Sequence, residues 1–196
     1  MLKVYDDFIE DPSLVERLKC ACDKHHELKG KLGNDLAQFN WYCNKQHKTL
    51  HDYAEQETSF LYIENYLLPR ISDLIEDSVK VEWWCNRNGY VDWHIDKDEK
   101  EFEETKRYVL PLLSTVYYPY VDCSDGELLI ACNEPIKQGH VGKINNFKEK
   151  ITIKPVENRL VVFSPGLLHR VMPFEGSRYS FAANIWKRST KEDWII

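Results

Sequence analysis

No apolar run of signal-peptide length opens the sequence, and nothing later approaches the length of a membrane span. The six cysteines, at positions 20, 22, 43, 85, 123 and 132, include no CxxC pair. Disulfide frameworks belong to oxidising compartments, so the expectation is reduced thiols in an intracellular, cytoplasmic protein with no membrane partner. An excess of positive charge is missing too. With 26 Lys and Arg against 32 Asp and Glu, the formal net charge is -6. Binding a nucleic-acid backbone needs clustered Lys and Arg, so nucleic acid is disfavoured as the main partner. Repeats, low-complexity tracts and linkers are absent. The 196 residues suit one domain, 1–196, large enough to bury a useful core.

What is present is 43% hydrophobic and 13% aromatic, a composition that folds and does not stay disordered. The first part, about 1–78, reads as helical support. Asp11-Pro12-Ser13 is a helix entry, with Asp11 as N-cap and Pro12 at the first helical position. Leu14, Val15, Leu18 and Cys22 then recur at helical spacing. A second stripe, Phe60, Ile63, Leu67, Ile71 and Leu74, predicts another helix, which Pro69 should kink or divide.

After Val79 the texture changes to short runs rich in Val, Ile, Tyr, Phe and Trp. They fall at about 79–85, 90–95, 107–120, 127–132, 150–154, 159–164, 168–174 and 178–187. Asn88-Gly89, Ser124-Asp125-Gly126, Glu157-Asn158, Pro165-Gly166 and Glu175-Gly176 separate them. Such spacing predicts an antiparallel sandwich or barrel. Helices first and strands afterwards make an α+β fold, with a double-stranded β-helix (jelly roll) core over about 79–187 and the N-terminal helices packed on one sheet.

Trp93-His94-Ile95-Asp96 ends one predicted strand, and residues two apart on a strand share a face. His94 and Asp96 can therefore chelate one ion. His169 opens another predicted strand after Ser164-Pro165-Gly166. Two imidazoles and one carboxylate on one face leave three open positions, the facial triad of non-haem iron oxygenases. His-x-Asp alone is a weak signal, because chance occurrences outnumber iron sites. Arg178 adds weight. Arg178, Ser180, Ala182 and Asn184 share one face of the last strand, so the guanidinium can enter the same cavity as His169. A planar, always-charged fork suits bidentate binding of a carboxylate at depth, and Ser180 can add a hydroxyl. The plainer reading of Arg178 is a surface ion pair.

Taken together, His94-Ile95-Asp96, Tyr117-Tyr118, Gly126-Glu127-Leu128, His169 and Arg178-Tyr179-Ser180 resemble the 2-oxoglutarate/Fe(II) oxygenase superfamily. The resemblance is strongest to its prolyl-hydroxylase-like branch and spans roughly residues 81–187, with Val4-Tyr5-Asp6-Asp7-Phe8-Ile9 resembling the branch's usual start. It implies Fe(II) on His94, Asp96 and His169, with 2-oxoglutarate and O2 as co-substrates. It also implies that Arg178 holds the distal carboxylate of 2-oxoglutarate and that Tyr118, or Tyr117 if the register shifts by one, donates its phenol there. The implied activity is a dioxygenase that hydroxylates a C–H bond while 2-oxoglutarate becomes succinate. Peptidyl proline or a related side chain is the implied substrate. A small molecule comes next and a nucleic-acid base lower. Where related prolyl hydroxylases carry Thr and Trp further along the Arg strand, this chain has Ala182 and Asn184. The rival from another class is a catalytically silent jelly roll that binds a metal or ligand.

Other features carry plainer expectations. Asn88-Gly89-Tyr90 should shape a loop at the cavity mouth or a simple hairpin turn. The charged run Lys97 to Arg107 reads as a solvated loop, with a lid over substrate as the alternative. His47 and His51 have the spacing of a helical metal pair but no third ligand; His25, His26 and His140 read as surface residues. At least one of Trp83 and Trp84 should be core. Trp41, Tyr42 and Trp93 read as packing or as a substrate groove. Gly126-Glu127-Leu128 reads as a turn into a strand.

Overall fold

The computed structural model describes residues 1–32, 40–43, 56–75, 79–132, 135–140 and 149–187. Among these residues, ten strands form two antiparallel sheets. The larger has the order β1-β8-β5-β10-β3-β2, and the smaller β4-β9-β6-β7. Their members are β1 (Leu2–Tyr5), β2 (Asn40–Cys43), β3 (Val79–Arg87), β4 (Val91–His94), β5 (Leu113–Asp125), β6 (Leu128–Ala131), β7 (Lys150–Ile153), β8 (Arg159–Phe163), β9 (His169–Val171) and β10 (Phe174–Lys187). This is the α+β jelly roll that the sequence predicts, although the first 78 residues are not purely helical. They also supply β1, which pairs with β8, and β2, which pairs with β3.

Helix α1 (Pro12–Leu32) begins at the predicted cap, where Asp11 Oδ1 accepts the Ser13 N–H at 2.9 Å. Its stripe is the expected one, since Leu14, Leu18 and Cys22 are buried and Val15 packs beside them. The second stripe does not form one helix. Helix α2 (Gln56–Tyr62) passes into a π turn (Ile63–Leu67), a short α3 (Leu68–Arg70) and a 3-10 turn (Ser72–Leu74). Pro69 has no N–H to give to a preceding carbonyl, which accounts for the divided helix. Ile63, Leu67 and Ile71 still bury completely.

The main core lies between these helices and the larger sheet, joining Phe8, Leu18, Tyr62, Leu67 and Cys22 to Val81, Trp83, Tyr117 and Phe181. A smaller core between the sheets gathers Tyr118, Leu128, Ile130, Val161 and Phe163. Trp83 is thus core, while Trp84 on the opposite face is half-buried. His47 and His51 lie outside the described residues, as do the side chains of His25, Trp41 and Tyr42. His26 and His140 are exposed.

Two strand boundaries differ from expectation. The run at 107–120 becomes strand only at Leu113, because Pro111 lacks a ladder donor and restricts the residue before it. Glu175-Gly176 is not a turn. Both lie within β10, opposite Ser124 and Cys123, and the break falls at Met172-Pro173 instead. Gly176 is there because the strands come close: its φ is +100° and a Cβ would press on the Asp122 carbonyl.

Asn158 clasps the N-terminal segment to the sheet. Its Oδ1 accepts from the Ile9 N–H at 2.9 Å and the Tyr117 hydroxyl at 3.0 Å, and its Nδ2 donates to the Ile9 carbonyl at 2.9 Å. Its φ of 59° also favours Asn over most residues. Asn158→Ala is expected to cost roughly 2–3 kcal/mol, lowering Tm by about 4–12 °C. Thermal unfolding followed by circular dichroism checks this; an unchanged Tm would show the clasp to be idle.

Candidate active site

The jelly roll brings His94 and His169 together by register. His94 ends β4 and stands directly opposite His169, the first residue of β9. Between Val91 and His94 the pairing slips by one residue, a bulge that re-aims the histidine. The ring centroids are 4.2 Å apart. Asp96 does not lie on the strand, where the sequence places it, but two residues beyond its end. Ile95 turns the other way into a small core with Tyr108 and Leu168. Asp96 Oδ1 sits 4.0 Å from His94 Nε2, and Asp96 Oδ2 sits 3.8 Å from His169 Nε2.

The donor set fits a divalent metal. One ligand atom from each of the three residues lies within 4.8 Å of the others. The Nδ1 atoms are already engaged, His94 with the Asp92 carbonyl at 2.7 Å and His169 with the Leu167 carbonyl at 2.8 Å. A carbonyl can only accept, so each Nδ1 carries the proton and each Nε2 lone pair faces Asp96. Burial holds the His169 pKa below the ordinary histidine range; Asp96 pulls it up and His94 pushes it further down. A neutral, buried imidazole is the form a metal needs.

The second half of the site is on β10 and β5. Arg178 is only 2% exposed, and among the described residues no carboxylate lies within ion-pair distance of it. Nη1 donates to the Gly126 carbonyl at 2.7 Å and Nη2 to the Gly89 carbonyl at 3.4 Å, while Nε is buried without a partner. Burial lowers its pKa, opposed by Tyr118 and Cys123. A buried cation held by carbonyls alone is costly, and an anion placed beside it would lower that cost. Beside it, Arg178 Cζ is 5.5 Å from the Tyr118 ring centroid. The Tyr118 hydroxyl is fully buried and unpartnered. Burial also raises the phenol's pKa, which keeps it protonated and able to donate.

The neighbouring tyrosines face opposite sides of the sheet. Tyr179 pairs with Tyr120 and Phe181 with Tyr117, so β5 carries an extra residue at Tyr118-Pro119. That bulge lets Tyr117 and Tyr120 both face the helices while Tyr118 faces the interior. Tyr117 spends its hydroxyl on Asn158. Ser180 is buried on the strand of Arg178, two residues along.

Sequence reasoning missed what holds Arg178 in place. Asn88 Oδ1 accepts the Arg178 N–H at 2.9 Å, and the Asn88 N–H donates to the Arg178 carbonyl at 2.9 Å. Asn88-Gly89 therefore fastens the arginine from β3's end, and Gly126 supplies its strongest carbonyl. Gly126 has φ +76°, and a Cβ there would crowd the Phe174 ring. The signal available was the Asn-Gly pair itself, which reads equally well as an ordinary turn. The charged run Lys97–Arg107 contains helix α4 (Glu99–Thr105), where Asp98 Oδ1 accepts the Glu101 N–H at 2.9 Å. Among the described residues, no helix is long and apolar enough to cross a membrane.

Comparison with known proteins agrees with this geometry. The structure resembles a prolyl-4-hydroxylase from Pseudomonas putida, at 17% identity and a TM-score of 0.59 over 96% of this chain and 93% of that one. It also resembles a prolyl hydroxylase from Trichoplax adhaerens, solved in complex with a hypoxia inducible factor oxygen degradation domain peptide fragment. The identity there is 14% and the TM-score 0.54, covering 95% of this chain and 83% of that one. A viral collagen prolyl hydroxylase from Paramecium Bursaria Chlorella virus-1, in its 2OG complex, matches at 14% identity and a TM-score of 0.51, with 96% of each chain covered. At such identities these likenesses speak for the fold alone. No curated protein sequence matches the chain. The family model of the 2OG-Fe(II) oxygenase superfamily matches residues 81–186, more than half of the chain. The chain belongs to that superfamily and is a 2-oxoglutarate-dependent dioxygenase, with Fe(II), 2-oxoglutarate and O2 as its reactants and cofactors.

Proposed function

We propose that this single domain, 1–196, hydroxylates a C–H bond of an amino-acid side chain in a peptide or protein, proline or a related residue. His94, Asp96 and His169 hold the iron, while Arg178, Tyr118 and Ser180 hold 2-oxoglutarate. The observation that carries the co-substrate assignment is the uncompensated Arg178 cation beside the unpartnered Tyr118 hydroxyl. A dicarboxylate satisfies both at once. A peptide substrate is supported by the Trichoplax adhaerens neighbour, which was solved with a peptide fragment. The silent jelly roll is not favoured, because a passive metal site needs no cation and phenol waiting for a carboxylate.

O2 is the oxidant of the reaction, and iron held by His94, Asp96 and His169 would let it convert 2-oxoglutarate to succinate and carbon dioxide while one oxygen atom goes to the substrate C–H bond. The chain's own residues provide geometry and exclude water. The Asp92 and Leu167 carbonyls fix both histidine tautomers, so that the Nε2 atoms are ready without rearrangement. Asp96 brings the negative charge that favours a divalent ion over protons. Arg178, pinned by Gly126, Gly89 and Asn88, fixes the depth at which the co-substrate sits. The apolar packing of Leu128, Val161 and Phe163 around Tyr118 keeps that end of the cavity dry.

Three outcomes test this reading. Anaerobic addition of Fe(II) and 2-oxoglutarate should produce a weak visible metal-to-ligand charge-transfer band. Asp96→Ala should remove the band and succinate production while far-ultraviolet circular dichroism stays native; full turnover in that variant would sink the triad. Arg178→Ala should weaken apparent 2-oxoglutarate affinity by about 2 kcal/mol or more, roughly thirtyfold. An unaltered affinity would send the co-substrate elsewhere. The pH dependence has a definite sign. Because the folded pKa of His169 lies below its unfolded value, stability is complete above the ordinary histidine range and is lost as pH falls through it. Denaturant titrations of the metal-free protein at pH 7.5 and 5.5 should therefore show a drop that His169→Asn reduces.

A further inference from the structure

A second polar cluster lies on the interior face of the larger sheet, apart from the residues assigned to iron and co-substrate. β3 turns Val79, Val81, Trp83 and Cys85 into the helix-side core. Alternation puts Lys80, Glu82, Trp84 and Asn86 on the other side. Glu82 stands directly opposite Asn184 on β10, and Asn184 stands opposite Ser114 on β5. Opposed residues of antiparallel strands share a face, so three strands set a carboxylate, an amide and a hydroxyl in one row. Trp186 Nε1 donates to Glu82 Oε2 at 3.0 Å, and Asn184 also hydrogen-bonds the carboxylate. Asn184 is 4% exposed and Ser114 2%, yet Asn184 Oδ1 and Ser114 Oγ are buried without partners. Asn184 lies on the same face of β10 as Arg178, so the row borders the same interior space, and the charge of Asp96 acts on Glu82.

The unpartnered atoms of this row are Asn184 Oδ1, which only accepts, and Ser114 Oγ, which accepts or donates, and they stand beside the Glu82 carboxylate. Burial pushes the Glu82 pKa up to about 7, with Asp96 adding to the rise and Trp186, Asn184 and Lys80 opposing it. Burial outweighs the help from Trp186, Asn184 and Lys80, so the carboxylate gains from a cation brought to it. A merely structural Glu82, present only to accept from Trp186, leaves the buried Asn184 Oδ1 and Ser114 Oγ unexplained.

We propose that Glu82, with Asn184 Oδ1 and Ser114 Oγ, binds a cationic nitrogen of the substrate, an ammonium or guanidinium, so that the side chain offered to the metal site is a basic one. This rests on the oxygenase reading above and, among amino-acid side chains, assigns a basic one in place of proline.

The test uses the full chain with Fe(II) and 2-oxoglutarate under anaerobic conditions. Calorimetry compares blocked tripeptides centred on Lys, Arg or norleucine, and free butylammonium, butylguanidinium and butanol. At least one cationic probe should bind about tenfold or more tightly than its neutral counterpart, as expected for a charge-assisted contact. Glu82→Gln, checked for native circular dichroism, should erase that preference. Equal binding of cationic and neutral probes by the wild type, or binding of none, overturns the proposal without any variant. A preference that survives in Glu82→Gln assigns the cation to another group and overturns it as well. The charge-transfer band separates the two layers. Its absence in the wild type removes the oxygenase reading itself, whereas a normal band without cation preference removes the Glu82 inference alone.

Discussion

A strand in the middle of a sheet must serve two environments with one backbone, and β10 carries that constraint for the whole molecule. It runs between β5 and β3 for 14 residues, and all but its ends are buried. Tyr179, Phe181, Ala183 and Ile185 face the helices and close the main core. Arg178, Ser180, Ala182 and Asn184 face the space between the sheets. Stability and chemistry are thus back to back, one residue apart. A register slip would exchange them, putting a guanidinium into the apolar core and Phe181 into the cavity. The strand is held against that slip on both sides, by nine paired positions with β3 and by the ladder with β5.

The polar face of β10 has opposite needs at its two ends. Near one end Arg178 is a buried cation with carbonyl partners only. Near the other, Asn184 and Trp186 support the half-buried Glu82. Neither charge is neutralised by the other, since they are held several residues apart along the sheet. Each is therefore expensive to keep in the empty protein, and each is cheapened by a ligand of opposite sign. A dicarboxylate placed at the Glu82 end would meet repulsion from Glu82 and Asp96. A cation placed at the Arg178 end would meet repulsion there. The same low dielectric that makes the charges costly makes this sorting strong.

Much of this was legible in the sequence, and the reasons differ by element. Alternation of apolar residues gave the strands and the face shared by Arg178 and Ser180, because period-two geometry is local. The Asp11 cap and the Leu14-Leu18-Cys22 stripe were equally local. What was hidden depended on partners far along the chain. Glu175-Gly176 looked like a turn, since a glycine demanded by a neighbouring strand's carbonyl reads the same as one demanded by a bend. Asn88 looked like hairpin punctuation, although its amide serves a residue 90 positions away. Glu82 sat in an apolar run with nothing to distinguish it from a solvent-facing acid. Only pairing with Asn184 and Trp186 reveals that it points inward.

The two bulges show why regular strands alone would not have made the site. In β4 the slip between Val91 and His94 sets His94 squarely against His169, and the chain leaves the ladder just afterwards, freeing Asp96 to approach both rings. In β5 the slip at Tyr118-Pro119 turns Tyr118 inward while its neighbours Tyr117 and Tyr120 remain with the helices. Pro119 suits that position because a bulged residue has no ladder bond to donate. Each irregularity falls where a side chain has to depart from simple alternation to reach the cavity. The regular ladder supplies rigidity, and the departures from it supply aim. A sequence that kept the same residues but restored perfect pairing at Tyr118-Pro119 would reverse the facing of every β5 residue beyond the bulge, and with it the wall that Arg178 stands against.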